Sequence, residues 1–112
     1  MRAPEEAAQA QLDAYNARDI DAFVEAYHPD IELARLPSGE VFVRGHARLR
    51  ELYGKLFASA PDLRCRLLNR VVHDRFVVDH EDVTGLPGRE RVGAVAIYEV
   101  EDGLIRRGWF LK

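Results

Sequence analysis

The period of the second half restricts this chain more than any other feature. From Leu63 the sequence alternates, with Leu63, Cys65, Leu67, Asn69 and Val71 on one side and Arg64, Arg66, Leu68, Arg70 and Val72 on the other. A period of two is the pattern of a strand with one buried face. Three similar runs follow, Phe76 to Thr84, Val92 to Val100 and Leu104 to Lys112, separated by His73-Asp74-Arg75, Gly85-Leu86-Pro87-Gly88 and Asp102-Gly103. These connections suit tight turns. They are too short for a parallel neighbour, which needs a crossover of about a dozen residues or more. The second half is therefore expected to form a four-stranded antiparallel meander.

The first half follows the helical period instead. Pro4, Glu5 and Glu6 suit a helix N-terminus, because proline gives up only an N–H that would be orphaned there and the carboxylates complement the helix dipole. A first helix is expected from Pro4 to about Ala17, with Ala8, Leu12 and Tyr15 on one face. Asp19 reads as the N-cap of a second helix carrying Ile20, Phe23, Val24 and Tyr27, which His28-Pro29-Asp30 ends. Ile31 to Leu36 and Val41 to Val43 form a short hairpin around Pro37-Ser38-Gly39. A third helix after Gly45 and His46 buries Leu49, Leu52, Tyr53 and Leu56, keeps Arg48, Arg50, Glu51 and Lys55 outside, and stops at Pro61-Asp62. The class is α+β. Long paired strands twist and curl, so a sheet covered by three helices encloses a hollow suited to a ligand.

Composition narrows the partners. The 112 residues fit one domain spanning 1–112, with no repeat or linker to suggest a second. Sixteen basic and nineteen acidic side chains are scattered in both signs, leaving a net charge of -3 and no basic field for nucleic acid or an anionic membrane. The mean hydropathy of -0.27 and the absence of an apolar stretch near Met1 point away from membrane insertion and export. Cys65 is the lone cysteine and sits at an apolar-patterned strand position, which suits a buried inert thiol in a reducing cytoplasm.

Several short motifs carry a family likeness. They are Tyr15-Asn16-Ala17-Arg18-Asp19-Ile20-Asp21 with Phe23, Tyr27-His28-Pro29-Asp30-Ile31, Arg44-Gly45, and Ile97-Tyr98-Glu99-Val100 leading through Gly103-Leu104-Ile105. In this order the chain resembles the nuclear transport factor 2-like (NTF2-like) superfamily, which includes the SnoaL-like polyketide cyclases and the ketosteroid isomerases. The resemblance implies a cone-shaped, cystatin-like α+β fold: a curved antiparallel sheet packed on three helices around an apolar pocket. It also implies homodimers formed through the sheet. A ketosteroid isomerase would place a carboxylate base near Arg35, a tyrosine near Gln11 and a protonated aspartic acid near Ala96. None of these positions holds the expected group, and an arginine is no general base near neutral pH. The isomerase residues therefore do not carry over.

Other side chains remain as candidates. Arg35 continues the face of Ile31 and Leu33, where its guanidinium could grip a carboxylate or enolate oxygen; a strand-end arginine paired with a neighbouring acid is the plainer alternative. The run Asp79-His80-Glu81-Asp82 is the most unusual in the chain, because charges are depleted in mid-strand. Alternation puts His80 and Asp82 on one face with Phe76 and Val78, and Asp79 and Glu81 on the other with Val77 and Val83. Facing inward, His80 with Asp82 would form a proton-transfer pair, and these two are the catalytic candidates. The opposite register would exchange them for Asp79 and Glu81, and a solvated ladder to Arg64, Arg66 and Arg70 is the structural alternative. Tyr15, Tyr98 and Trp109 combine a large apolar body with a polar atom, which suits a pocket wall, a core or a dimer seam.

The expectation is a pocket for a small apolar ligand bearing a carbonyl or carboxylate, acted on without a cofactor as an isomerase, cyclase or hydrolase would. Tyr15 and Arg35 would hold oxygen. A non-catalytic dimeric binding protein of the same fold is the alternative. No histidine or cysteine spacing suggests a metal site, and Gly85-Leu86-Pro87-Gly88 reads as a hairpin rather than a phosphate loop.

Overall fold

The computed structural model describes residues 1–112. Helix α1 (Pro4–Ala17) begins as its sequence suggests, with Pro4 in the first turn and the Glu6 carboxylate accepting from the Ala3 amide at 2.7 Å. It ends where Arg18 turns left-handed at φ 52°. Asp19 caps α2 (Ile20–Glu25) by accepting from the Ala22 amide at 3.1 Å. Strands β1 (Tyr27–Arg35) and β2 (Val41–Arg44) form the hairpin, and α3 (Gly45–Ser59) follows. The meander comprises β3 (Arg64–His73), β4 (Phe76–Thr84), β5 (Arg91–Glu101) and β6 (Leu104–Leu111). All six strands join one sheet in the order β2-β1-β6-β5-β4-β3.

Two features depart from the sequence reading. The sheet is mixed, because β1 runs parallel to β6 and pairs Leu33 with Gly108 and Arg35 with Phe110. That pairing also extends β1 back to Tyr27, across His28-Pro29-Asp30: Tyr27 lies beside Ile105, whose amide donates to the Ala26 carbonyl at 3.0 Å. A long-range backbone partner thus outweighs the local helical pattern that would have kept Tyr27 on α2. No helix is long and apolar enough to cross a membrane.

The three helices cover one face of the sheet. Phe23, Ile31, Leu33, Leu49, Leu63, Val77 and Ile105 are buried between the layers. Phe23 anchors an aromatic cluster, its ring 4.7 Å from that of Tyr53, 4.9 Å from Tyr27 and 5.5 Å from Phe57. Burying one such ring contributes about 1.5–3 kcal/mol. Helix α1 is pinned to strand β3 by Asn16, whose side-chain amide donates to the Cys65 carbonyl at 2.9 Å and accepts from the Cys65 amide at 2.8 Å. Two glycines permit close approach: a Cβ on Gly85 (φ 81°) would lie 2.2 Å from the Asp62 carbonyl oxygen, and one on Gly108 2.7 Å from the Leu33 side chain.

Candidate functional site

Between the helices and the sheet lies a cavity of about 240 Å³. Helix α1 contributes Gln11, Leu12 and Tyr15, α2 contributes Phe23, and α3 contributes Leu52, Tyr53 and Leu56. The sheet side supplies Tyr27, Cys65, Glu81, Val83, Val92, Ala94, Tyr98 and Phe110, with Leu86 and Lys112 completing the wall. Fourteen of these seventeen residues are hydrophobic, so polar recognition falls to Gln11, Glu81 and Lys112, helped by tyrosine hydroxyls.

Strand register decides which carboxylates face inward. Asp74 and Arg75 form the turn between β3 and β4, with His73 opposite Phe76, and the alternation that follows buries Val77, Asp79, Glu81 and Val83 beneath the helices. The candidate proton-transfer pair, His80 and Asp82, is therefore not in the cavity. His80 is exposed on the far face of the sheet, and Asp82 lies on that face under Arg91 at 3.3 Å and Arg66 at 3.7 Å. The cause is local: both phases of β4 carry apolar side chains, and the turn selects the phase of Val77 and Val83. A register shift between Leu67 and Asn69 adds a second change. Past it, Arg70 and Val72 take over the helix-side face while Asn69 and Val71 turn outward.

The remaining candidates divide. Tyr15 and Tyr98 line the cavity. Trp109 does not: it pairs with Ile97 on the far face, because Gly108 packs against Leu33 on the inner one. Arg35 has the inward parity, opposite Phe110, yet the strand ends there and leaves it half exposed, bonded to Glu40 at 2.8 Å and stacked 4.2 Å from the centre of the Phe42 ring. It sits outside the lining.

Two groups that the sequence reading did not favour dominate the chemistry. Glu81 is 6 % exposed and has no ion-pair partner. Burial, reinforced by the nearby Asp79 carboxylate, pushes its pKa up to about 7, against weaker opposing effects from the Cys65 thiol, Arg70 and Lys112. Gln11 is 4 % exposed. Its Oε1 accepts from the Tyr27 hydroxyl at 3.4 Å, which leaves Nε2 a buried donor without a partner. An unmet buried donor costs about 1–3 kcal/mol, so its persistence on a cavity wall marks a place for an acceptor. Burial raises the Tyr15, Tyr27, Tyr53 and Tyr98 hydroxyls, which stay protonated as donors. It likewise raises the Cys65 thiol, which makes it a poor nucleophile. No three His, Cys, Asp or Glu side chains converge as a metal-ligand set.

The family model described as a SnoaL-like domain matches residues 8–108, nearly the whole chain. The chain belongs to the SnoaL-like family. Its structure is similar to an uncharacterised cystatin-fold protein from Novosphingobium aromaticivorans, with a TM-score of 0.91, 27% identity and full coverage of both chains. It is also similar to a candidate ketosteroid isomerase from Kribbella flavida (TM-score 0.81, 21% identity, 96% of this chain and 76% of that one). A candidate polyketide cyclase from Sinorhizobium meliloti gives a TM-score of 0.78 at 21% identity, covering 93% of this chain and 92% of that one. At such identities these last two likenesses concern the fold. No curated protein shows significant sequence similarity to the chain. The mixed sheet and the three helices of this SnoaL-like domain match the fold of these neighbours.

Proposed function

We propose that this SnoaL-like protein binds a small apolar carbonyl compound and moves a proton on its carbon skeleton without a cofactor, as an isomerase or cyclase does. The observation that carries the reading is the pairing of functions within one cavity: an unpaired carboxyl on the sheet side and an unpartnered amide donor on the helix side. In the reaction, the Glu81 carboxylate takes a proton from the carbon next to the carbonyl. The C–H electron pair moves into the carbon skeleton, and the charge that develops on oxygen is held by Gln11 Nε2–H with help from a tyrosine hydroxyl. Return of the proton from Glu81 to a different carbon completes an isomerisation. A base titrating near 7 is matched to neutral pH.

Cavity size limits the substrate. A cavity of about 150 Å³ holds one benzene, and pockets for drug-sized ligands run to about 300–1,000 Å³. At about 240 Å³ the cavity suits a one-ring or two-ring compound rather than a four-ring steroid. The test is conversion of 3-cyclohexen-1-one to its conjugated isomer, followed by ultraviolet absorbance. Turnover by the wild type and its loss in Glu81→Gln are expected; equal rates in both would refute the role of Glu81. A non-catalytic binder would need no inward proton-transfer group, and Glu81 counts against that alternative.

The protein is further proposed to work in the cytoplasm as a homodimer. The pairings Val71 to Val78, Val78 to Ile97 and Ile97 to Trp109 set an apolar row across the face of the sheet away from the helices. A second copy would cover it.

A further inference from the structure

Behind Glu81 lies a second acidic group that the proposed reaction does not use. Asp79 is fully buried two residues earlier on the same strand face, outside the cavity lining. Arg70 reaches it from the edge strand with two parallel bonds, Nε to Oδ1 at 2.7 Å and Nη2 to Oδ2 at 3.0 Å. The same guanidinium donates from Nη1 to Gln9 Oε1 on α1 at 3.0 Å, and Gln9 Nε2 donates to Asp13 at 2.8 Å. A bidentate fork with a third anchor has little freedom. Arg70 faces the helices because of the register shift in β3.

We propose that Arg70 and Asp79 are positioning residues for Glu81: the clamp holds a fixed negative charge behind it and a fixed positive charge one step further away, and together they set how readily Glu81 takes and releases its proton. The proposal rests on the reading of Glu81 as the proton-transfer group. The two charges act in opposite directions, with Asp79 raising Glu81 and Arg70 lowering it. The other groups facing Glu81 are Cys65 on β3, Tyr15 on α1, Tyr27 on β1, Tyr53 on α3, Tyr98 on β5 and Lys112 after β6. Of these only Lys112 is cationic, and it follows β6 two residues beyond Phe110, which lies in the same cross-strand row as Asp79.

The experiment is a carbon-13 NMR titration of the Glu81 carboxyl in side-chain-labelled protein, its signal assigned by its absence from Glu81→Gln. Asp79→Asn is expected to lower the midpoint by about 1 unit, and Arg70→Met to raise it by about half a unit or more. Arg70→Lys, which keeps the charge but loses the fork, should fall between Arg70→Met and the wild type. A merely structural clamp would not move the midpoint in opposite directions. An unmoved midpoint in folded Asp79→Asn overturns the proposal, and that variant reports even if Arg70→Met does not fold. The titration needs no turnover, so its failure is distinct from a failure of Glu81→Gln to abolish activity, which would overturn the reading beneath it.

Discussion

Asp79 and Glu81 project from the same face of β4, but only Asp79 has a cation: Arg70 binds both of its oxygens, while Glu81 faces an apolar cavity with no ion-pair partner. The difference ties one carboxylate into a clamp and leaves the other facing the cavity without a cation. It also links the pocket to stability. Glu81 is raised from 4.5 to about 7, so the folded chain binds more protons than the unfolded chain between those values. Stability therefore falls as pH rises through that window and levels off above it.

Glu81→Gln removes this cost. Relative to the wild type, the variant should gain on the order of 3 kcal/mol between pH 4 and pH 8. Urea unfolding at both pH values measures the gain, and a wild-type-to-variant difference independent of pH would contradict the account.

Gln11→Met deletes the unpartnered donor while keeping the volume. Its stability should stay within about 1 kcal/mol of the wild type, because the loss of the unmet amide donor is offset by leaving the buried Tyr27 hydroxyl without its acceptor. Its turnover should fall by about 10²–10³, the effect of removing one oxyanion donor. Thermal melts and initial rates on the same preparations separate the two effects.

The double variant His80→Ala, Asp82→Ala tests the register. His80 is exposed, and Asp82, itself buried, pairs with the largely exposed Arg66 and Arg91 on the far face, which water can still solvate when the carboxylate is lost. Turnover should stay within about twofold of the wild type, and stability should fall by no more than about 1 kcal/mol.

The far face makes its own prediction. Ile97→Glu places a charge in the middle of the apolar row formed with Val78 and Trp109. Sedimentation equilibrium should show a dimer for the wild type and a monomer for the variant, with the fold retained by circular dichroism.

Much of the frame was legible because its signals are local. Pro4 and Asp19 mark helix starts, Asp102-Gly103 and Gly85 to Gly88 mark turns, and strand alternation runs between them. What stayed hidden depends on distant partners, on turn geometry or on depth. The extension of β1 to Tyr27 needs Ile105, some eighty residues away in the sequence, as its neighbour. The phase of β4 is ambiguous because Phe76 and Val78 support one face as well as Val77 and Val83 support the other, and the turn that decides between them has no unique sequence. Glu81 was thus visible only as the alternative to His80. In the sequence Gln11 stands out only as the residue at the position where an isomerase would carry a tyrosine, since a buried glutamine has no periodic signature. Arg35 has the inward parity, but periodicity carries no information about depth.

The most direct test of the central claim is the pH dependence of deuterium wash-in beside the carbonyl of cyclohexanone, followed by proton NMR in D₂O for the wild type and Glu81→Gln. The account predicts exchange above the buffer background that rises with pH through a single ionisation near 7 and is absent in Glu81→Gln. Exchange that is equally fast in the variant, or no exchange by the wild type at any pH, would contradict the assignment of Glu81 as the proton-transfer group.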